Sequence, residues 1–354
     1  MNKCDGCGVI LQTVDKEKLG YISDGALLKD SRLCMRCFNI KNYSKNINKD
    51  YTDKQFIDIL KNIDKKNLIV MIVDIFDLNS TLLTSIIDVI KNQDILLFVN
   101  KIDILPDTIN VERLLSNVVR MYQDLDLNIV NGALVSAKCN FNIEYAKELI
   151  DMYSNNRDTY IVGVSNVGKS MFLKSFLKSC DIENKYITVS HFPATTINTL
   201  KFKYNNNYIY DTPGVINRSQ IIHYIKEDDI KYLYPKKLLQ TVLQLRDSSV
   251  FFVSGFLKVE VNSKDVVGVT LFCSSELNVH RRKSDGSEGF YKEKKDHLLV
   301  HTYIKDDLKM ERLTLKKDEE VAITGLCWFK VNTTCNIVIT LHKNVGFSVR
   351  NKLI

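Results

Sequence analysis

The chain has 354 residues, 45% of them hydrophobic and 26% charged, so packed cores and two or three domains are expected. No apolar run reaches the roughly 18 residues of a transmembrane helix, and the N-terminal MNKCDGCG has the character of neither a signal nor a transit peptide. A cytoplasmic protein without membrane insertion is therefore expected. The net charge of +7 lies in the flanks, because residues 51–225 are near neutral. Basic flanks favour a polyanionic partner, although a solvated surface would explain them almost as well.

The first 44 residues carry two C-x2-C pairs. Cys4 and Cys7 form the first pair, and Cys34 and Cys37 form the second, with 26 residues between the pairs. This spacing predicts a structural Zn2+ site in a treble-clef or ribbon-like module that the metal helps to fold. A redox pair is the alternative, but the sequence lacks the βαβ frame of such sites. The other five cysteines are expected to be small buried residues.

Residues 45–225 alternate between apolar strands and amphipathic helices, after a polar linker. This alternation predicts a doubly wound, mostly parallel α/β sheet with its ligand at the carboxyl ends of the strands. Helices are predicted over 52–63, from a cap at 79–81 to about 92, from a cap at 107 or 108 to about 124, over 142–153 and over 169–178. Strands are predicted over 68–73, 95–99, 129–135, 159–162, 199–204 and 208–211.

The stretch GVSNVGKS, from Gly163 to Ser170, fits the phosphate-binding P-loop G-x-x-x-x-G-K-[ST], between a predicted strand and a predicted helix. The glycines let the backbone approach a triphosphate, and the following helix adds the positive end of its dipole. Lys169 would reach the β- and γ-phosphates, and the Ser170 hydroxyl would hold Mg2+. The predicted nucleotide contacts of this segment are Ser165, Asn166, Val167, Gly168, Lys169, Ser170 and Met171.

Two further motifs at strand ends point to guanine as the base. NKID supplies Asn100, Lys101 and Asp103, and SAK supplies Ser136, Ala137 and Lys138. The Asp103 carboxylate can accept hydrogen bonds from N1–H and the N2 amine of guanine, whereas adenine would leave it unpaired at a cost of about 1–3 kcal/mol or more. The Lys101 stem can lie over the base, and the Ala137 N–H can reach its O6 atom.

Two motifs after the P-loop complete a nucleotide switch. DTPG follows a predicted strand, where Asp211 can hold Mg2+ through water and the Gly214 N–H can meet the γ-phosphate. PATT lies in a polar connection and resembles a first switch, with Thr196 as a Mg2+ ligand; a plain Thr-rich loop is the alternative. The motif order NKID, SAK, P-loop, PATT, DTPG is a cyclic shift of the usual order, which predicts a circularly permuted GTPase.

Residues 226–354 predict a separate, basic, β-rich domain. One helix is predicted over 235–244, and short strands over 250–253, 256–261, 268–274, 298–304, 320–323, 327–331 and 336–341. A loop from His280-Arg-Arg-Lys283 to Lys295 interleaves basic residues with Phe290 and Tyr291. That pattern suits phosphate contact and base stacking in RNA, or a solvated hairpin tip.

The four-cysteine motif, the permuted order of the nucleotide motifs and the basic β-rich tail together resemble the YqeH family. VDIFD at 73–77 and GLCWFKV at 325–331 strengthen this resemblance, which spans nearly the whole chain. It implies a bacterial GTPase that assists assembly of the small (30S) ribosomal subunit and binds its rRNA. Ala194 departs from the family, which usually has Gly there, so ordering of the switch could be weaker in this chain.

The hydrolytic step lacks two familiar groups. Val215 occupies the position where Ras-like GTPases have a water-orienting Gln, and Arg218 is the only nearby candidate for an arginine finger. Slow intrinsic hydrolysis is therefore expected. Asn166 in the P-loop resembles that of potassium-activated GTPases, which implies K+ between the phosphates; a plain turn residue is the alternative. The alternative is a nucleotide-gated binding module with incidental turnover. An adaptor with a degenerate nucleotide site is disfavoured, because every nucleotide motif is intact.

Overall fold

The computed structural model describes residues 4, 9–15, 20–27, 32–35, 53–81, 84–181, 187–191, 198–246, 248–294, 297 and 299–354. By contact density the chain divides into two compact units. The N-terminal unit comprises 1–74, 83–101 and 122–216, and the C-terminal unit comprises 75–82, 102–121 and 217–354. Among the described residues, none of the helices is long and apolar enough to cross a membrane.

Helices and strands alternate through the nucleotide-motif region. In chain order they are α1 (Asp24–Leu27), α2 (Asp53–Lys61), β1 (Leu68–Asp74), α3 (Thr84–Ile90), β2 (Ile95–Asn100), α4 (Val111–Gln123), β3 (Ile129–Leu134), α5 (Ile143–Ser154), β4 (Thr159–Val162), α6 (Lys169–Ser179), β5 (Ile187–His191), β6 (Asn198–Tyr204) and β7 (Asn207–Asp211). The strands form one sheet in the order β3-β2-β1-β4-β7-β6-β5. This confirms the predicted doubly wound α/β sheet.

The centre of this sheet is parallel and fully buried. β1 pairs with β2 and with β4 in parallel, and every residue of β1, β2 and β4 is buried. Their β-branched and apolar runs suit strands covered on both faces. At one edge of the sheet, β6 runs antiparallel to both of its neighbours, β7 and β5. Because β1, β2, β3, β4 and β7 are parallel, their carboxyl ends lie at the same edge of the sheet.

Two predicted helix starts differ in the structure. The segment Ile75–Thr81 is a 3-10 turn, with Asp77 outside helical geometry, so Asn79-Ser-Thr does not cap the following helix. α4 begins at Val111 rather than near Asp107, because the Asn110 side chain accepts a hydrogen bond from the Arg113 N–H at 2.9 Å. Asn is a strong N-cap residue, and Asn110 lies two or three positions beyond the predicted cap at 107 or 108. β5 was not predicted from the sequence.

Two five-stranded antiparallel sheets follow in the C-terminal unit. Its elements are α7 (Ile230–Leu233), β8 (Leu238–Leu245), β9 (Ser249–Val253), β10 (Leu257–Asn262), β11 (Val267–Ser274), β12 (Val279–Lys283), α8 (Ser287–Lys294), β13 (Leu308–Leu315), β14 (Glu319–Ile323), β15 (Cys327–Val331), β16 (Cys335–His342) and β17 (Phe347–Asn351). The sheet orders are β12-β9-β10-β16-β13 and β17-β14-β15-β11-β8. Their inner faces share one core, in which Phe251 of β9 meets Phe329 of β15 at 5.4 Å between ring centroids.

Three sequence predictions are wrong here. Residues 235–244 hold the edge strand β8 instead of a helix. The predicted loop from 280 to 295 is largely ordered as β12 and α8. Residues 299–304 form no strand; Tyr303 makes a single bridge with Ile225, and Val300 has φ 54°, a left-handed geometry that interrupts extended structure. β12, β13, β17 and α8 were not predicted.

Candidate functional site

The predicted nucleotide motifs meet at one edge of the seven-stranded sheet. NKID follows β2, SAK follows β3, the P-loop follows β4, and DTPG follows β7. In open α/β sheets, ligands bind outside the carboxyl ends of the parallel strands. The fold therefore places four segments that are distant in sequence where one nucleotide can contact them.

Asn100 joins three of these motifs through buried hydrogen bonds. Its Nδ2 donates to the Val167 carbonyl of the P-loop at 2.9 Å, and its Oδ1 accepts from the Ala137 N–H of SAK at 3.0 Å. Ser175 of α6 donates to the Ala137 carbonyl at 2.8 Å. A contact of the Ala137 N–H with guanine O6 would therefore be shared with Asn100, and this role of Ala137 stays a prediction.

The P-loop bends where side chains would not fit. A Cβ on Gly163 would come within 2.5 Å of the Ile72 carbonyl oxygen. Gly168 has φ 94°, and a Cβ there would come within 2.4 Å of Asn100 Nδ2. These contacts explain both glycines, because only glycine combines close backbone approach with left-handed geometry. A glycine-rich turn before a helix N-terminus is the geometry in which backbone N–H groups can face a phosphate.

Lys169 is the first residue of α6, and its side chain is buried. Its Nζ donates to the carbonyls of Gly163 at 2.7 Å and Val164 at 3.2 Å. Burial lowers the pKa of Lys169 to about 8, and the Asp211 carboxylate opposes that shift. At neutral pH the ammonium is thus charged yet poorly solvated, which favours an anionic ligand.

The third motif is tied directly to the P-loop. Val164 and Val215 form a parallel bridge, and the Ser165 N–H donates to the Val215 carbonyl at 2.7 Å. Val215 is buried, so the position after DTPG contributes packing. A Cβ on Gly214 would come within 2.9 Å of Lys169 Nζ. The glycine therefore keeps the backbone close to Lys169, as the predicted contact of Gly214 with a γ-phosphate requires.

The remaining predicted site residues differ in exposure, and one of them lies outside the described residues. Asn166, Ser170, Met171 and Lys138 are exposed, and Asp103 is partly exposed in the 3-10 turn Ile102–Ile104. Ser136 closes a tight turn with Phe141 and accepts from the Cys139 N–H. Ser170 and Asp211 offer the oxygen donors that Mg2+ prefers, and bound Mg2+ supplies positive charge to the phosphates. Thr196 lies outside the described residues, so its role as the third Mg2+ ligand stays a prediction.

The sequence reading assigned no role to Asp74, the last residue of β1. Its Oδ2 lies 2.6 Å from Lys101 Nζ, which also donates to the Asn166 carbonyl at 2.7 Å. The signal was present, because a carboxylate that ends a buried parallel strand falls at the edge where ligands bind.

The cysteine pairs are described only in part. Cys4 and Cys34 are both buried, and the Cys34 N–H donates to Cys4 Sγ at 3.1 Å. An N–H···S bond of this kind suits a thiolate held in a knuckle turn. Cys7 and Cys37 lie outside the described residues. In the part of the chain that the structure describes, no group of three or more metal-ligating side chains occurs.

The basic segment of the C-terminal unit differs from the predicted stacking platform. Phe290 is buried, with His280 stacked on its ring and the Arg282 guanidinium 4.3 Å from its centroid. Tyr291 donates to the Gly255 carbonyl. These rings pack internally, so the residues that this surface offers are cations: Arg281, Arg282 and Lys283 are exposed on the edge strand β12.

The sheet, the P-loop and the two guanine motifs define a P-loop GTPase whose motifs follow a permuted order. A family model described as "50S ribosome-binding GTPase" matches residues 158–270, and one described as "YqeH-like, C-terminal" matches 266–353. The YqeH protein of Bacillus subtilis (strain 168) is 35% identical over 362 residues, covering 99% of both chains. The chain belongs to the YqeH family of GTPases, which confirms the resemblance seen in the sequence.

More distant relatives match as well. NO-associated protein 1 (chloroplastic/mitochondrial) of Arabidopsis thaliana is 26% identical over 93% of this chain and 69% of its own length. The small ribosomal subunit biogenesis GTPase RsgA of Phytoplasma mali (strain AT) is 35% identical over 26% of this chain and 30% of its own. A GTPase domain implies binding of GTP, GDP and Mg2+ and hydrolysis of GTP in general.

Proposed function

We propose that this protein assists assembly of the small (30S) ribosomal subunit, binding pre-ribosomal particles and their rRNA in a manner set by GTP and GDP. The proposed binding of GTP and GDP rests on the buried hydrogen bonds of Asn100, which join NKID, SAK and the P-loop. The name of the RsgA relative supports the small subunit as partner. The cytoplasm is the proposed site of action.

Hydrolysis is proposed to be slow until a further cation completes the site. Val215 is buried and its carbonyl is bonded to Ser165, so this position does not orient water. Asn166 has φ 68° and an exposed side chain at the predicted phosphate edge. We propose that its side-chain oxygen helps to hold K+ there. K+ should then stimulate GTP hydrolysis more than Na+ does at matched ionic strength. Asn166→Ala should remove this stimulation while GTP still binds. Equal rates in both salts would exclude K+ from the site.

Contact with rRNA is proposed for the exposed cations of β12. Arg281 and Lys283 lie on one side of this strand, and Arg282 lies on the other over Phe290. Because the aromatic rings pack internally, the contact would be made with phosphates and would depend strongly on salt. Arg281→Gln/Lys283→Gln should reduce the log–log salt slope by about 0.7 per lost single-strand phosphate contact. An unchanged slope would show that the strand is only solvated.

The cysteine module is proposed to bind one Zn2+ through Cys4, Cys7, Cys34 and Cys37. Cys4 and Cys34 approach each other across 30 residues of sequence, and the N–H···S bond between them supports a shared thiolate site. The two thiols of each pair would then come from one turn, as in other four-cysteine sites.

Co-sedimentation with 30S subunits and their precursors tests the function. Wild-type protein is loaded with GTP, a slowly hydrolysed GTP analogue or GDP, and the gradient fractions are compared. Binding that depends on the nucleotide, together with hydrolysis stimulated by the particles, is expected. Binding that depends on nucleotide without stimulated hydrolysis would favour the nucleotide-gated module. Equal binding in all states, or none, would refute the proposal.

A further inference from the structure

We propose that Asp74 positions the Lys101 side chain for guanine binding, and is thereby a further determinant of nucleotide affinity. The inference rests on the proposed guanine-nucleotide function of the same site. Asp74 Oδ2 lies 2.6 Å from Lys101 Nζ, and Asp74 is only 7% exposed. This distance is that of a short, charge-assisted hydrogen bond.

Asp74 is held by the sheet itself. It is the last residue of β1, and the parallel register places it opposite Asn100, the last residue of β2. Lys101 follows directly and has φ 67°, a left-handed geometry that turns the chain at the end of the strand. The carboxylate is thus fixed on a buried strand next to the turn that carries Lys101, and its position does not depend on a loop.

Two acceptors from separate elements fix the Lys101 ammonium. Asp74 supplies the first from β1, and the Asn166 carbonyl supplies the second from the P-loop at 2.7 Å. A lysine side chain has a flexible four-carbon stem, so its position is otherwise poorly defined. Because both anchors hold its tip, the stem is ordered before the base arrives. Ordering a side chain in advance removes a cost that binding would otherwise carry.

Burial explains why the pair depends on both partners. A carboxylate removed from water needs a compensating charge or hydrogen bonds, and Lys101 provides one such partner. Asp74 would act through Lys101 without touching the base, which makes it a positioning residue. An ion pair at the opposite end of β2 offers a control away from the nucleotide motifs: Arg157 donates at 2.8 Å to Asp94, which is more exposed than Asp74.

A double-mutant cycle on the full-length protein tests the inference. Asp74→Asn, Lys101→Met, the double variant and the control Asp94→Asn are compared with wild type for GDP and GTP affinity and for release of fluorescent GDP. Asp74→Asn replaces a charged acceptor by a neutral one, which should weaken the affinity for GDP and GTP about tenfold. For Asp74→Asn, KM should rise by a larger factor than kcat falls, because Asp74 acts on Lys101 and does not touch the base. Asp94→Asn should bind as wild type does.

The cycle separates positioning from general stability. If Asp74 acts through Lys101, the double variant binds no more weakly than Lys101→Met alone. Additive losses, or unchanged affinity in a folded Asp74→Asn protein, overturn the inference. Asp74→Glu retains the negative charge, so it should bind GDP more tightly than Asp74→Asn. If Asp74→Asn does not fold, Asp74→Glu is compared with Lys101→Met instead. The inference is then overturned if Asp74→Glu binds GDP no more tightly than Lys101→Met. Failure of the wild type to bind GDP would instead refute the proposed function.

Discussion

Replacing Asn100 by Ala should destabilise the N-terminal unit and abolish its binding of GDP. The substitution leaves the Val167 carbonyl and the Ala137 N–H buried without their partner. Each unsatisfied buried group costs about 1–3 kcal/mol, so the unfolding free energy should fall by about 2–6 kcal/mol. For a unit of this size, about 2–4 °C in Tm is expected per kcal/mol, which gives a loss of about 4–24 °C.

Thermal and urea unfolding, followed by circular dichroism and paired with GDP titration, measures both effects. Asn128→Ala is the control, because Asn128 is an exposed asparagine at the other end of the sheet whose Nδ2 donates to Asp94. Its loss should change stability by no more than about 0.5 kcal/mol. The stability of Asn100→Asp should lie between those of wild type and Asn100→Ala, because a carboxylate oxygen can still accept from the Ala137 N–H while the donor to the Val167 carbonyl is lost. A change below about 0.5 kcal/mol in Asn100→Ala, or intact GDP affinity, would refute the reasoning.

Three further outcomes are expected. Asp103→Asn should shift preference from GTP towards XTP, because the amide donates where xanthine carries a carbonyl; competition titration measures this, and unchanged GTP preference would remove Asp103 from base recognition. Between pH 8 and 10 the unfolded chain holds a proton on Lys169 that the folded chain has lost, so the contribution of Lys169 to stability should rise with pH. Urea unfolding of wild type against Lys169→Met checks this, and identical slopes would contradict a lowered pKa. Cys4→Ser/Cys34→Ser should lose one equivalent of zinc by metal analysis while GDP affinity persists; a retained equivalent would place the metal elsewhere.

The fold of residues 45–225 was largely predictable, because each nucleotide motif and the strand before it can be recognised from a short stretch of sequence. Each motif follows an apolar run that suits only a buried strand, so motif and strand support each other. The sequence places Asp74 at the ligand edge of the sheet, but its pairing with Lys101 was not predictable, since that depends on the parallel register that sets β1 beside β2. The extra strand β5 was missed as well, and its placement is set by pairing with β6.

The C-terminal unit shows where local patterns fail. Residues 238–245, LLQTVLQL, have apolar positions at helical spacing and no proline or glycine, so a helix is the natural prediction. In the fold this segment pairs with β11 along its whole length, and pairing overrides its intrinsic preference. Because β8 is an edge strand, Val242 stays 57% exposed, which removes the strict alternation that identifies a half-buried strand.

The C-terminal unit is assembled from three separate stretches of chain. Trp328 of β15 stacks on Phe272 and meets the ring of Phe76, and the Asn117 side chain donates to the Leu353 carbonyl. A recombinant fragment that begins near residue 217 would lack Phe76 and Asn117, and would therefore lose the ring contact with Trp328 and the hydrogen bond to the Leu353 carbonyl. Fragment complementation follows as a practical consequence: peptides spanning 75–82 and 102–121, supplied in trans, should raise the solubility of such a fragment.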